Sequence, residues 1–192
     1  MPAKIAILGW GSLLWEGGEE FDRWREPWQY DGPSLKLEFS RVSDSRLGAL
    51  TLVIDPKHGS PTTVRWCLSK RQDPDDAVCD LRCREGTTLA KIGRILLGSS
   101  RNQFRDQESH EAIAAWAKTK NLDGIIWTDL RSNFQEKVKQ TFSVQAAVSY
   151  VKALPAEARA KAAEYVWRAP DVVQTPLRMA LQKEPWFSAP RS

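Results

Sequence analysis

The run Lys4-Ile5-Ala6-Ile7-Leu8-Gly9 is long enough for one strand and breaks at once into Trp10-Gly11-Ser12-Leu13-Leu14-Trp15. A strand that stops in Gly-aromatic-Gly-Ser has to turn tightly, because glycine reaches positive φ without steric cost and lets a ligand come close to the backbone. The amide N–H groups of such a turn can face outward, and a group of them suits an anion. The same residues equally admit an ordinary first strand followed by a glycine turn, since short motifs match by chance.

A chain of 192 residues can bury most of its apolar surface around about one core without disulfides, so a single domain over 1–192 is expected. No run approaches the roughly 18 to 20 apolar residues of a membrane span. The opening Met-Pro-Ala-Lys has one lysine and no small-residue cleavage site before the glycine turn, unlike a signal peptide. Three cysteines, Cys67, Cys79 and Cys83, are too few and odd in number for a disulfide framework, and a reducing, cytoplasmic setting without membrane contact is expected. Cys79 and Cys83 stand at i and i+4 on an expected helix, a spacing open to a metal pair. His58 and His110, the two histidines, lie far from them in sequence and no second cysteine pair exists, so incidental cysteines and no metal are the expectation. Net charge is +4 and nine tryptophans are present, a combination seen in nucleic-acid binders. The 28 basic residues are interspersed with 24 acidic ones, and the tryptophans sit inside or beside apolar runs, where core or pocket lining is the simpler use; no nucleic-acid partner is expected.

Hydrophobic patterning predicts strands over 4–9, 35–42, 49–55, 62–69 and 124–129, the second by strict alternation. Four precede residue 70 and helical patterns fill most of the rest, so the class is α+β with an early sheet. Asp73-Pro74-Asp75-Asp76 supplies an N-cap, a proline for the first helical position and two carboxylates for the dipole, opening a helix to about Glu85 that Gly86 stops. Further helices are expected over 106–119 with Ile113 and Trp116 on one face, over 144–153 behind the cap Ser143, over 156–167 with Ala160, Ala163, Val166 and Trp167 inward, and near 176–182. The stretches 16–34 and 99–105 read as long loops; the first, with Trp24 and Trp28, is either functional or a solvated loop pinned by its tryptophans.

The chain has no phosphate-cradling Gly-rich loop with Lys-Ser/Thr, no complete dinucleotide turn and no Gly-x-Ser-x-Gly elbow, and Ser12 has no evident base. Leu81-Arg82-Cys83-Arg84-Glu85-Gly86-Thr87 is the second informative segment. Glu85 closes a helix, where the dipole disfavours a carboxylate, so its proton affinity is expected to rise where water is partly excluded, as a general base requires. The same residues also fit a surface glutamate paired with Arg82 or Arg84.

Taken together, a strand, then aromatic-Gly-Ser-Leu, then several strands, then a helix ending in Leu-x-x-x-Glu-Gly, resembles the γ-glutamylcyclotransferase-like superfamily. Leu8-Gly9-Trp10-Gly11-Ser12-Leu13-Leu14-Trp15 is most similar to the opening of its glutathione-degrading branch, and Phe39 to Leu52 is similar in placement to that branch's second and third strands. The resemblance covers residues 4–93. It implies a small closed mixed β-barrel of about five or six strands flanked by helices, here with a helical C-terminal extension over about 135–192. It also implies a γ-glutamyl-binding loop at Trp10, Gly11, Ser12 and Leu13, and an acid/base glutamate at Glu85. The reaction implied is cyclisation of a small γ-glutamyl amine or peptide to 5-oxoproline and a free amine, without a cofactor. Trp10 stands where the family has tyrosine, and the Arg-Gly-Thr-Pro segment of the glutathione branch is missing. Arg41, Arg46 and Arg65 are candidates to pair with a substrate carboxylate, Arg46 foremost. The alternative is a non-catalytic member of the fold that binds a small anionic ligand or a protein partner.

Overall fold

A computed structural model describes residues 3–189. The class is α+β: strands β1 (Ile5–Gly9), β2 (Ser34–Val42), β3 (Leu50–Ile54), β4 (Ser60–Thr63), β5 (Arg65–Leu68), β6 (Ile92–Leu96) and β7 (Gly124–Thr128) are joined by helices α1 (Glu19–Arg23), α2 (Pro74–Glu85), α3 (Gln107–Thr119), α4 (Phe134–Val138), α5 (Val144–Ala153), α6 (Ala156–Arg168) and α7 (Pro176–Leu181). No helix among the described residues is long and apolar enough to cross a membrane. The chain forms two compact units, each assembled from two separate stretches. The first takes the chain up to Leu35 with Thr63–Leu130, the second Lys36–Thr62 with the chain from Arg131 onward.

In the first unit the strand order is β5-β1-β7-β6. β1 runs parallel to β7 and antiparallel to β5, and β6 is antiparallel to β7. β1, one of the two interior strands, is buried along its whole length, which is why it reads as an unbroken apolar run rather than an alternating one. Ile5 and Ile7 pack with Ile92, Ile126 and Cys67 against Ala77, Val78 and Leu81 of α2. The stretch 16–34 is not wholly irregular: it contains α1, and Gln29 exchanges both backbone hydrogen bonds with Trp66 of β5, at 2.7 and 3.1 Å. Trp24 lies under the Arg71 guanidinium, 3.8 Å from the ring centre, so this segment is pinned by its tryptophans.

Two strand expectations change. The run 62–69 is two strands in different sheets, because the backbone of Val64 bonds to Pro33 and Gly32 instead of continuing a ladder. β6 was not expected, since Gly93 and Arg94 interrupt its short apolar run. Gly93 stands opposite Trp127, and a Cβ there would meet three atoms of the indole at 2.2 to 2.5 Å. Trp127 is fully buried and has nowhere to go. Gly93→Ala is therefore expected to lower stability by about 1–3 kcal/mol through overpacking, measured by urea unfolding followed by tryptophan fluorescence.

The second unit holds the sheet β3-β2-β4 and helices α4 to α7. The β2–β3 register shifts between Glu38 and Arg41, and Leu37, Glu38, Phe39 and Ser40 are all buried, so the strand is covered on both faces there and does not alternate as expected over 35–42. The Glu38 carboxylate accepts the N–H of Phe39 at 2.7 Å and that of Leu177, at the start of α7, at 3.3 Å. Burial pushes its carboxyl up to about 7, against the lowering effect of hydrogen bonds from Thr175, Phe39 and Leu177. Arg178, 2% exposed, donates to the carbonyls of Ala169, Pro170 and Val173 and so closes the turn before α7. In α6 the buried face is Ala158, Ala162, Ala163, Tyr165 and Val166; Ala160 is exposed and Trp167 half-buried, so the inward face is rotated from the expected one, towards the side on which Tyr165 meets Phe39.

Candidate active site

Local sequence sets both halves of the site. At the end of β1, Gly11 takes φ +59°, a conformation that favours glycine, and residues Gly11–Leu14 wind into a single 3-10 turn. In such a turn the first ring-closing bond comes from the third residue's N–H. Leu13 is thereby assigned to the turn, and the Gly11 and Ser12 N–H groups precede its first bond. The Leu13 side chain is buried in the same apolar cluster as Leu81 of α2, which fixes the turn against that helix. Trp10 and Ser12 are half-buried. Gly9 is needed for a different reason: a Cβ there would lie 2.6 Å from the Trp28 ring.

Helix α2 has the boundaries its sequence announces. Asp73 accepts the Asp75 N–H at 2.8 Å, Pro74 is the first helical residue, and Gly86, at φ +57°, returns its N–H to the carbonyls of Arg82 and Cys83. This stop places Arg84 and Glu85 in the last turn. Arg84 Nη1 donates to Glu85 Oε1 at 2.8 Å, while Nη2 donates to the carbonyl of Ser12 at 3.1 Å and to that of Glu16. The two side chains are 10% and 16% exposed, so the pair sits largely out of water. Arg84 is one of the two partners that the sequence offers Glu85, and the pair is not at the surface. Arg84 ties the carboxylate to the backbone of the Gly-Ser-Leu turn.

No family model, no curated protein and no solved structure matches the chain. The site brings together a carboxylate, a guanidinium and a glycine turn with two leading amides, and Leu13 and Leu81 join turn and helix in one apolar cluster.

The other residues singled out from the sequence lie as follows. Arg46 belongs to the second unit, where its guanidinium covers the Tyr165 ring at 4.9 Å. Arg41 donates to the Arg131 carbonyl at 2.9 Å, and Arg65 covers the Tyr30 ring at 4.5 Å. Cys79 and Cys83 are exposed on α2, with Arg82 reaching the Cys83 sulfur at 3.2 Å. Cys67 is buried, and burial pushes its thiol up to about 12, so it stays protonated and inert. Sequence reasoning passed over two groupings. One is the reach of Arg84 to the carbonyls of Ser12 and Glu16, 72 and 68 residues away. The other is in the second unit, where His58 Nδ1 stands 3.2 Å from both oxygens of the buried Asp55 beside a cleft of about 500 Å³. The Asp-x-x-His spacing was its only sequence signal.

Proposed function

We propose that this chain is an enzyme of the γ-glutamylcyclotransferase type, converting a small γ-glutamyl amine or peptide to 5-oxoproline and a free amine. The observation that carries this reading is the Arg84 bridge, which joins Glu85 to the Ser12 carbonyl, two segments that the resemblance assigns to one active site. The single domain and the closed barrel of that family belong to the same proposal.

The chemistry asks for positioning and proton transfer. In a folded γ-glutamyl substrate the α-amine faces its own γ-carbonyl, and holding that geometry replaces an encounter by an intramolecular step. Glu85 takes a proton from the α-ammonium, the freed amine attacks the γ-carbonyl carbon, and the amide bond to the leaving amine breaks as Glu85 returns the proton to it; the second proton lost by the attacking nitrogen as it becomes the ring amide passes by the same carboxylate to the released amine, which leaves as its ammonium. The N–H groups of Gly11 and Ser12, with the Ser12 hydroxyl, serve the substrate's α-carboxylate or the oxyanion. Trp10, in place of tyrosine, offers an apolar wall there instead of a hydroxyl.

The test is incubation with a panel of γ-glutamyl dipeptides, γ-glutamyl amines and glutathione, following 5-oxoproline by mass spectrometry. Product from any member supports the reading and names the leaving group; none across the panel overturns it. The exchange of tyrosine for Trp10 favours a second reading, a non-catalytic member of the fold that binds a small anion. Thermal stabilisation by panel members without 5-oxoproline would select that reading.

A further inference from the structure

We infer that Arg84 is the positioning residue of this site: it clamps the 11–16 loop to the end of α2 and thereby sets where the Glu85 carboxylate stands. The inference rests on the cyclotransferase reading for its catalytic consequence, but not for the clamp itself. Consecutive residues on a helix point about 100° apart, so Arg84 and Glu85 cannot both face the loop directly. The guanidinium resolves this. Its stem passes Gly18, where a Cβ would stand 3.4 Å from Arg84 Cγ, and its two terminal nitrogens act in different directions. Nη1 holds Glu85, and Nη2 holds the carbonyls of Ser12 and Glu16. The Ser12 carbonyl also accepts the N–H groups of Trp15 and Glu16, so Arg84 grips the point about which the loop turns. Its Nε is buried without a partner among the described residues. A side chain that leaves one donor unmatched to keep three contacts is placed by those contacts and not by general solvation.

A planar fork spans such a set of acceptors and a lysine ammonium, a point charge, does not. Loss of the fork lets the carboxylate drift relative to the loop, and displacement of about 1 Å costs on the order of 100-fold in rate. Two variants and two readouts test this. In Arg84→Met, kcat on the γ-glutamyl substrate is expected to fall on the order of 100-fold with KM changed by less than about threefold, because the group lost does not itself hold substrate. Arg84→Lys, which keeps the charge and the fold, is expected to recover about tenfold of that loss. In the ligand-free protein, amide hydrogen exchange at Trp15 and Glu16 is expected to quicken by about tenfold or more in Arg84→Met and to stay unchanged in Glu85→Gln. Wild-type kcat in Arg84→Met, or unchanged exchange at Trp15 and Glu16 in both Arg84 variants, overturns the inference. If the wild-type protein makes no 5-oxoproline, the proposed function falls and exchange alone decides the clamp.

Discussion

Glu85→Gln is expected to lower the rate of 5-oxoproline formation by about 10²–10⁴-fold, the range lost when a general acid/base is removed. The amide keeps the shape of the side chain and one oxygen for Arg84 Nη1, now at 2.8 Å from the carboxylate, but it can neither take the α-ammonium proton nor return it. Stability is expected to change little, by about 1 kcal/mol, because a neutral acceptor replaces a charged one on a guanidinium that retains the Ser12 and Glu16 carbonyls. Single-turnover kinetics with a thermal melt alongside would check both. Turnover like that of the wild type would remove Glu85 from the mechanism, while lost turnover with a collapsed melt would point to a structural role for the pair.

The stability of the second unit is expected to depend on pH through Glu38. Its carboxyl is raised to about 7 in the folded chain by burial, from an ordinary value of 4.5. Between those two values the folded chain holds a proton that the unfolded chain has released, so the slope of unfolding free energy against pH is negative. The contribution is intact below about pH 4.5 and is lost as pH rises to and through 7, amounting to about 3 kcal/mol in full. Glu38→Gln mimics the protonated acid at every pH. Its oxygen can serve Phe39, but its amide then faces the Leu177 N–H, so the variant has its own fixed cost of about 1 kcal/mol. The readout is accordingly the difference in slope: urea unfolding at pH 5, 6, 7 and 8 should show the wild type losing stability relative to Glu38→Gln across that range. Parallel curves for the two proteins would mean that Glu38 is charged in the folded state.

Features written in neighbouring residues were legible in the sequence. Asp73-Pro74 and Gly86 bound α2 and Ser143 caps α5, because a cap is made by contacts two or three residues away. The first strand, the Gly11 turn and the position of Glu85 at a helix end were legible for the same reason. Features that depend on distant chain were not. Glu38 follows the alternation that would turn it towards solvent, and it is buried because Leu177, 139 residues on, closes over that side of the strand. Val64 separates two strands because its backbone bonds to Gly32 and Pro33, which its own neighbours do not announce. Gly93 reads as a strand breaker until the Trp127 indole is seen lying across it. Arg84 was legible as a neighbour for Glu85, but nothing within α2 says that Ser12 and Glu16 are its other acceptors.

The way each unit is divided along the chain has a consequence for synthesis on the ribosome. β1 leaves first, yet its parallel neighbour β7 is Gly124–Thr128, and the stretch 36–62 must wait for everything after Arg131. Neither unit can be completed before an insertion belonging to the other has emerged, so no single cut separates the two. A nascent chain halted near residue 100 would carry β1 with one edge bare, a surface for holdase chaperones to cover.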